Sequence, residues 1–138
     1  MWVFLSDCFL SIVDKDCGPH EVLVRARRVG DIEKLFPRAK VVRLERADYL
    51  FRAVVSRREV ASALASEIAA VRYPNFKDTV RDVTLHDAYM RVWTAMASVQ
   101  PTRPYSGGIP MGPFDLAGSN RKGARKTNRK RARKAARA

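Results

Sequence analysis

The residues best equipped for chemistry in this chain are cations at its C-terminal end. Arg121, Lys122, Arg125, Lys126, Arg129, Lys130, Arg131, Arg133, Lys134 and Arg137 recur at roughly four-residue spacing among alanines, with no acid from 121 to 138. Such a run is built to neutralise a polyanion. Self-repulsion is expected to keep it disordered when free, and phosphate oxygens would screen it and let its alanine-rich stretches fold on binding. DNA or RNA, held through phosphates, is the partner this pattern predicts. Nonspecific adhesion to nucleoprotein is the plainer alternative. An anionic membrane fits less well, because the run has no Trp, Phe or Leu to enter the interface.

A second basic set lies at Arg25, Arg27, Arg43 and Arg52. Period-two alternation places these arginines opposite Val22, Val24, Val42 and Val55, on a sheet face left free of helices. A basic open sheet can hold single strands, with guanidinium groups on phosphates and aromatic rings on bases. Phe9 and Tyr49 are the aromatic candidates. The plainer reading pairs the same arginines with Glu45 and Asp48 on an ordinary solvated sheet.

A third set, Lys77, His86 and Tyr89, has the residue types for RNA cleavage: a charge stabiliser with an acid and a base. Against this, a histidine near a helix start commonly caps or packs, and Tyr89 shares an apolar stripe with Val92, Trp93 and Met96. The favoured reading is a structural loop–helix joint, with no catalytic residue and no enzymatic activity. His20, Cys8 and Cys17 match no zinc spacing, and Gly107-Gly108 is not followed by Lys-Ser/Thr, so neither a metal nor any other cofactor is expected. The two cysteines are too few for a disulfide scaffold and are read as reduced, with Cys8 as packing.

The elements that must position these groups follow from patterning. Met1–Val13 is aromatic and β-branched, suiting one long or broken strand. A second strand covers 22–27 after a polar turn at Gly18-Pro19, and a short helix runs from Gly30-Asp31 to Phe36, ahead of Pro37. Two further strands, 40–46 and 49–55, meet near Ala47-Asp48 as a hairpin. Ser56-Arg57-Arg58-Glu59 is a capping box that opens a helix from 57 to 71, whose stripe Val60, Leu64, Ile68 and Val71 should cover the sheet. Tyr73-Pro74 ends it, and 75–83 forms a loop or short helical turn anchored by Phe76 and Val80. A last helix, from Thr84 to Gln100, has a wide apolar stripe that marks it as a core helix.

The expected fold is α+β: a four-stranded antiparallel sheet with helices on one face, strands 22–27 and 49–55 central, in a circularly permuted ferredoxin-like arrangement. Residues 1–100 form the globular domain. Residues 101–120, with four prolines and four glycines, read as a linker, and 121–138 as a basic tail that is disordered or conditionally helical. The charge agrees with this division. The chain of 138 residues carries a formal +13, yet residues 1–120 hold 17 basic against 14 acidic side chains. No apolar run reaches the 18 residues of a membrane span, and the N-terminal stretch contains Asp7 and lacks a basic leader, so a cytoplasmic protein is expected.

Tyr73-Pro74-Asn75-Phe76-Lys77-Asp78, His86-Asp87-Ala88-Tyr89-Met90-Arg91-Val92-Trp93, Met1-Trp2-Val3-Phe4 and Leu23-Val24-Arg25-Ala26-Arg27 together resemble a family of short bacterial proteins of unassigned function. The resemblance covers roughly residues 1–100, leaves out the basic tail, and implies a single domain without assigning a catalytic residue. The leading expectation is a non-enzymatic nucleic-acid-binding accessory protein that grips phosphates through its C-terminal arm. Its competitors are an adaptor or inhibitor that binds another protein through the sheet face or edge of the 1–100 domain, and a small ribonuclease-type toxin.

Overall fold

A computed structural model describes residues 1–102. The expected linker from 103 onward and the whole cationic run 121–138 lie outside the described residues. The elements are β1 (Trp2–Phe4), β2 (Phe9–Val13), β3 (Glu21–Ala26), α1 (Asp31–Leu35), β4 (Val42–Arg43), β5 (Phe51–Ser56), α2 (Arg57–Ala69), a 3-10 turn (Phe76–Thr79) and α3 (Val83–Ala97). The fold is α+β with one antiparallel sheet in the order β1-β2-β3-β5-β4. The sheet has five strands rather than four because Met1–Val13 breaks and folds back on itself. Leu5 N–H donates to Cys8 O across the turn (3.0 Å), and the Met1 ammonium donates to Ile12 O (2.7 Å). As expected, β3 and β5 are the central pair. Both edge strands, β1 and β4, are very short, which leaves little unpaired edge for another chain to extend.

The core lies on one side of this sheet. Leu10, Ile12, Val22, Val24, Ala26, Ala53 and Val55 alternate onto it, and Ile32, Phe36 and Val60 cover them from α1 and α2. Gly30 caps α1 with φ of 82°, a left-handed conformation in which a side chain would be strained. Ser56 caps α2 as its sequence requires, its hydroxyl accepting from Glu59 N–H (3.2 Å). Cys8 is fully buried in this core, and burial pushes its thiol up to about 12; both cysteines are free.

The helix stripes are only half used. Val60 is buried, yet Ile68 is 74% exposed, and in α3 only Leu85 and Tyr89 are buried while Met96 is 62% exposed. Periodicity defines an apolar face without defining what stands opposite it, and the C-terminal turns of both helices run past the covered surface. Asp82, rather than Thr84, caps α3, accepting from Leu85 N–H at 2.9 Å. That hydrogen bond, joined by the Arg28 guanidinium, holds the Asp82 carboxyl below the usual carboxylate range.

A smaller cluster docks α3. Phe76 and Val80 act as the anchors expected of them, joining Leu85 and Tyr89 against Phe4 and Phe9. The Tyr89 hydroxyl donates at the β1–β2 turn, reaching Cys8 O (2.8 Å) and Leu5 O (3.1 Å). Tyr89→Phe is therefore expected to lower unfolding free energy by about 1–2 kcal/mol, read by urea denaturation, since the Leu5 carbonyl loses its hydroxyl donor and the Cys8 carbonyl is left with Leu5 N–H alone. No helix among the described residues is long and apolar enough to cross a membrane.

Candidate nucleic-acid interface

The sheet face opposite the core carries part of the expected arginine row. Arg25 pairs with Arg52 across β3 and β5, so both point to this side. Arg43 does not join them. Val42, not Arg43, is the partner of Arg52, which turns Arg43 to the other side, where it pairs with Glu45 at 3.0 Å. Alternation along 40–46 misplaces it because β4 is only two residues long and takes its phase from β5. Arg27 lies one residue beyond β3, and its guanidinium sits over the Tyr49 ring.

Tyr49 is the centre of the arrangement. It is 4% exposed, with the Arg25 and Arg27 guanidinium carbons 4.5 and 4.3 Å from its ring centroid. Asp48 ties the same side chains together. It meets Arg52 at 3.1 Å and Arg25 at 3.8 Å, and its carbonyl accepts from Arg27 at 2.7 Å. Arg25 also donates to the Ser11 hydroxyl (2.8 Å). Arg25 and Arg52 are thus engaged by Asp48 and only 16% and 18% exposed, whereas Arg27 and Arg43 are exposed.

Next to Tyr49, between the sheet and α3, lies a cavity of about 380 Å³. Trp2, Phe9 and Tyr49 wall it on one side, and Leu85, Ala88 and Tyr89 on the other. Both aromatic candidates named from sequence, Phe9 and Tyr49, therefore line one space. The rings continue through the structure: Trp2 stands edge-on to Phe9 (6.0 Å), Phe9 packs on Phe4 (4.9 Å), and Phe4 meets Tyr89 (4.9 Å).

Arg27, Arg28 and Asp31 are the charged groups of this cavity. Arg28 reaches Asp82 on α3 at 3.1 Å and Asp31 at 3.7 Å, so it bridges α1 and α3. Asp31 is 1% exposed; one oxygen accepts from Phe9 N–H (3.5 Å), and the other, without a hydrogen bond, lies 3.6 Å from the Lys34 ammonium. Desolvation raises the Asp31 pKa in spite of these neighbours. The folded chain therefore holds this proton more tightly than the unfolded chain does. Stability from this group is full below the ordinary carboxylate value and falls as pH rises through the raised one. Asp31→Asn, which keeps an oxygen for Phe9 N–H, is expected to flatten that fall in a pH series of urea unfolding curves.

Of the residues considered for RNA cleavage, Tyr89 is engaged by backbone carbonyls, and burial pushes its hydroxyl pKa up. Lys77 sits over the Trp93 ring (4.8 Å), and His86 is beside Asp87 (3.8 Å). The charged trio Arg28, Asp31 and Asp82 escaped sequence reasoning. Its one local signal was Asp82 standing three residues before Leu85 as a helix cap. No protein-family model, curated protein or solved structure matches the chain.

Proposed function

We propose that this chain is a non-enzymatic nucleic-acid-binding accessory protein that grips DNA or RNA phosphates with its C-terminal cations, residues 121–138. The observation that carries this reading is the run itself: ten cations and no acid in 18 residues, on a domain that is otherwise nearly balanced in charge. Arg27, exposed beside Tyr49, is the sheet-side residue best placed to add to that grip, followed by Arg43. Arg25 and Arg52 serve chiefly to hold Asp48 and Tyr49 in place. On the same reading the sheet is a permuted ferredoxin-like one, with β2 in the position that the last strand usually fills; the order β2-β3-β5-β4 supports this.

The direct test compares the full chain with one ending at residue 118 on labelled duplex DNA at low salt. Loss of the arm should weaken binding by more than about tenfold, the effect of removing several phosphate contacts. Equal affinities would remove the basis of this reading.

A second reading, a protein-binding adaptor or inhibitor, is favoured by a different observation. Trp2, Ile68, Val71 and Tyr73 are 40% exposed or more and line one groove between β1 and the end of α2. Binding through this groove would survive removal of the arm and be lost in Ile68→Asp.

A further inference from the structure

We propose that the cavity between Tyr49 and α3 seats one unstacked base of a single-stranded nucleic acid, with the adjoining phosphate on Arg27. The inference rests on the nucleic-acid reading above and deepens it, because it assigns to the domain a selectivity that the arm alone does not have. An arm that meets only phosphates binds duplex and single strand alike. A pocket that admits a base binds only strands whose bases are free to leave the stack.

Three features of the cavity carry the argument. The first is its size and walls. About 380 Å³ lies within the range of roughly 300–1,000 Å³ typical of small-molecule sites, and the rings of Trp2 and Phe9 offer a π-face and edges to a flat heterocycle, while Tyr49, covered by Arg25 and Arg27, closes the wall behind them. The second is the distribution of charge. Arg27 is exposed at the rim, Arg28 is held beside it by Asp82 and Asp31, and the Asp31 carboxyl is almost wholly buried. An anion is therefore attracted to the guanidinium groups and repelled from the interior, so the neutral base enters and its phosphate stays outside. The third is Trp2, 62% exposed at the edge of the same cavity and edge-on to Phe9. A large indole held half in water is a stacking platform for a neighbouring base. The walls are apolar, so the pocket accepts bases without strong sequence preference, as stacking does.

The test uses the full chain, isotopically labelled, with a short oligothymidylate and a blunt duplex of equal length as probes. Oligothymidylate should shift the Trp2 indole N–H and the Ala88 amide, and the duplex should leave both in place. Ala88→Trp, which fills the cavity from the exposed side of α3, should abolish those shifts and weaken single-strand binding about tenfold, the loss of one stacked base. Arg27→Gln, which removes the charge at an exposed position while Arg25 stays on the Tyr49 ring, should weaken it by a similar factor, so failure of one variant to fold does not blunt the test. Duplex affinity should be unchanged in Ala88→Trp. Single-strand shifts confined to residues 119–138, with full affinity in both variants, would overturn the base site and leave the arm reading intact. The absence of any shift with either probe would overturn both.

Discussion

Phe36→Ala is expected to remove about 3–5 kcal/mol of unfolding free energy, a large fraction of the roughly 5–15 kcal/mol that holds a domain folded. Phe36 is the largest fully buried side chain among the described residues, and it belongs to the cluster in which α1 meets the sheet. Its position is fixed on both sides. Its own N–H closes the last turn of α1 onto Ile32 O at 2.9 Å, and Pro37 follows immediately. The backbone at residue 36 therefore has no slack with which to close the space left by truncation, and Val24 and Ala26 of the same cluster are held by the central strands. Val29→Ala, at a position 77% exposed, is the control and should stay within about 0.5 kcal/mol of the native value. Urea denaturation followed by far-ultraviolet circular dichroism reads both.

Tyr49→Ala should have a comparable effect, about 3 kcal/mol, for a different reason. The ring is buried beneath two guanidinium groups, so its loss opens a void and also takes the aromatic face from Arg25 and Arg27. A graded series separates these contributions. Tyr49→Phe keeps the ring under both cations and should remain near the native stability. Tyr49→Leu keeps most of the apolar bulk and loses the cation–ring contacts, which are worth about 0.5–1 kcal/mol each at partly exposed sites. The order Phe, Leu, Ala in rising cost is the expected result. An alanine variant as stable as the phenylalanine one would mean that the arginines are held by Asp48 alone.

Sequence determined most of this fold wherever the deciding physics is local. Ser56 and Glu59 mark a helix start because an orphan amide needs an acceptor three residues back, and the structure has that bond. Phe76 and Val80 could be named as anchors because they are the apolar residues of a polar loop. The central placement of β3 and β5 follows from hairpin connections and one crossover. Where the deciding contact is distant in sequence, local patterning was silent. The turn from Leu5 to Cys8, whose carbonyls meet the Tyr89 hydroxyl from far along the chain, has no glycine or proline to announce it. Ile68 and Met96 sit on correct helical stripes, yet among the described residues neither is covered, at 74% and 62% exposed.

The candidate site divides the same way. Phe9 and Tyr49 were recognisable as the useful aromatics, and Glu45 and Asp48 as the acids that would meet the arginines. The phase of Arg43 was not, since a two-residue strand carries too short an alternation to fix its own face. The bridge from Arg28 to Asp82 joins residues far apart in the chain, and nothing in either local sequence pairs them.

The central claim, that phosphates are gripped by the cations of residues 121–138, is tested most directly by the salt dependence of duplex binding. Log affinity should fall linearly with log salt, at about −0.9 for each phosphate neutralised. Ten cations in the arm allow a steep slope, and the chain ending at residue 118 should lose most of it. A slope that is the same with and without the arm would contradict the account and move the binding element into residues 1–118.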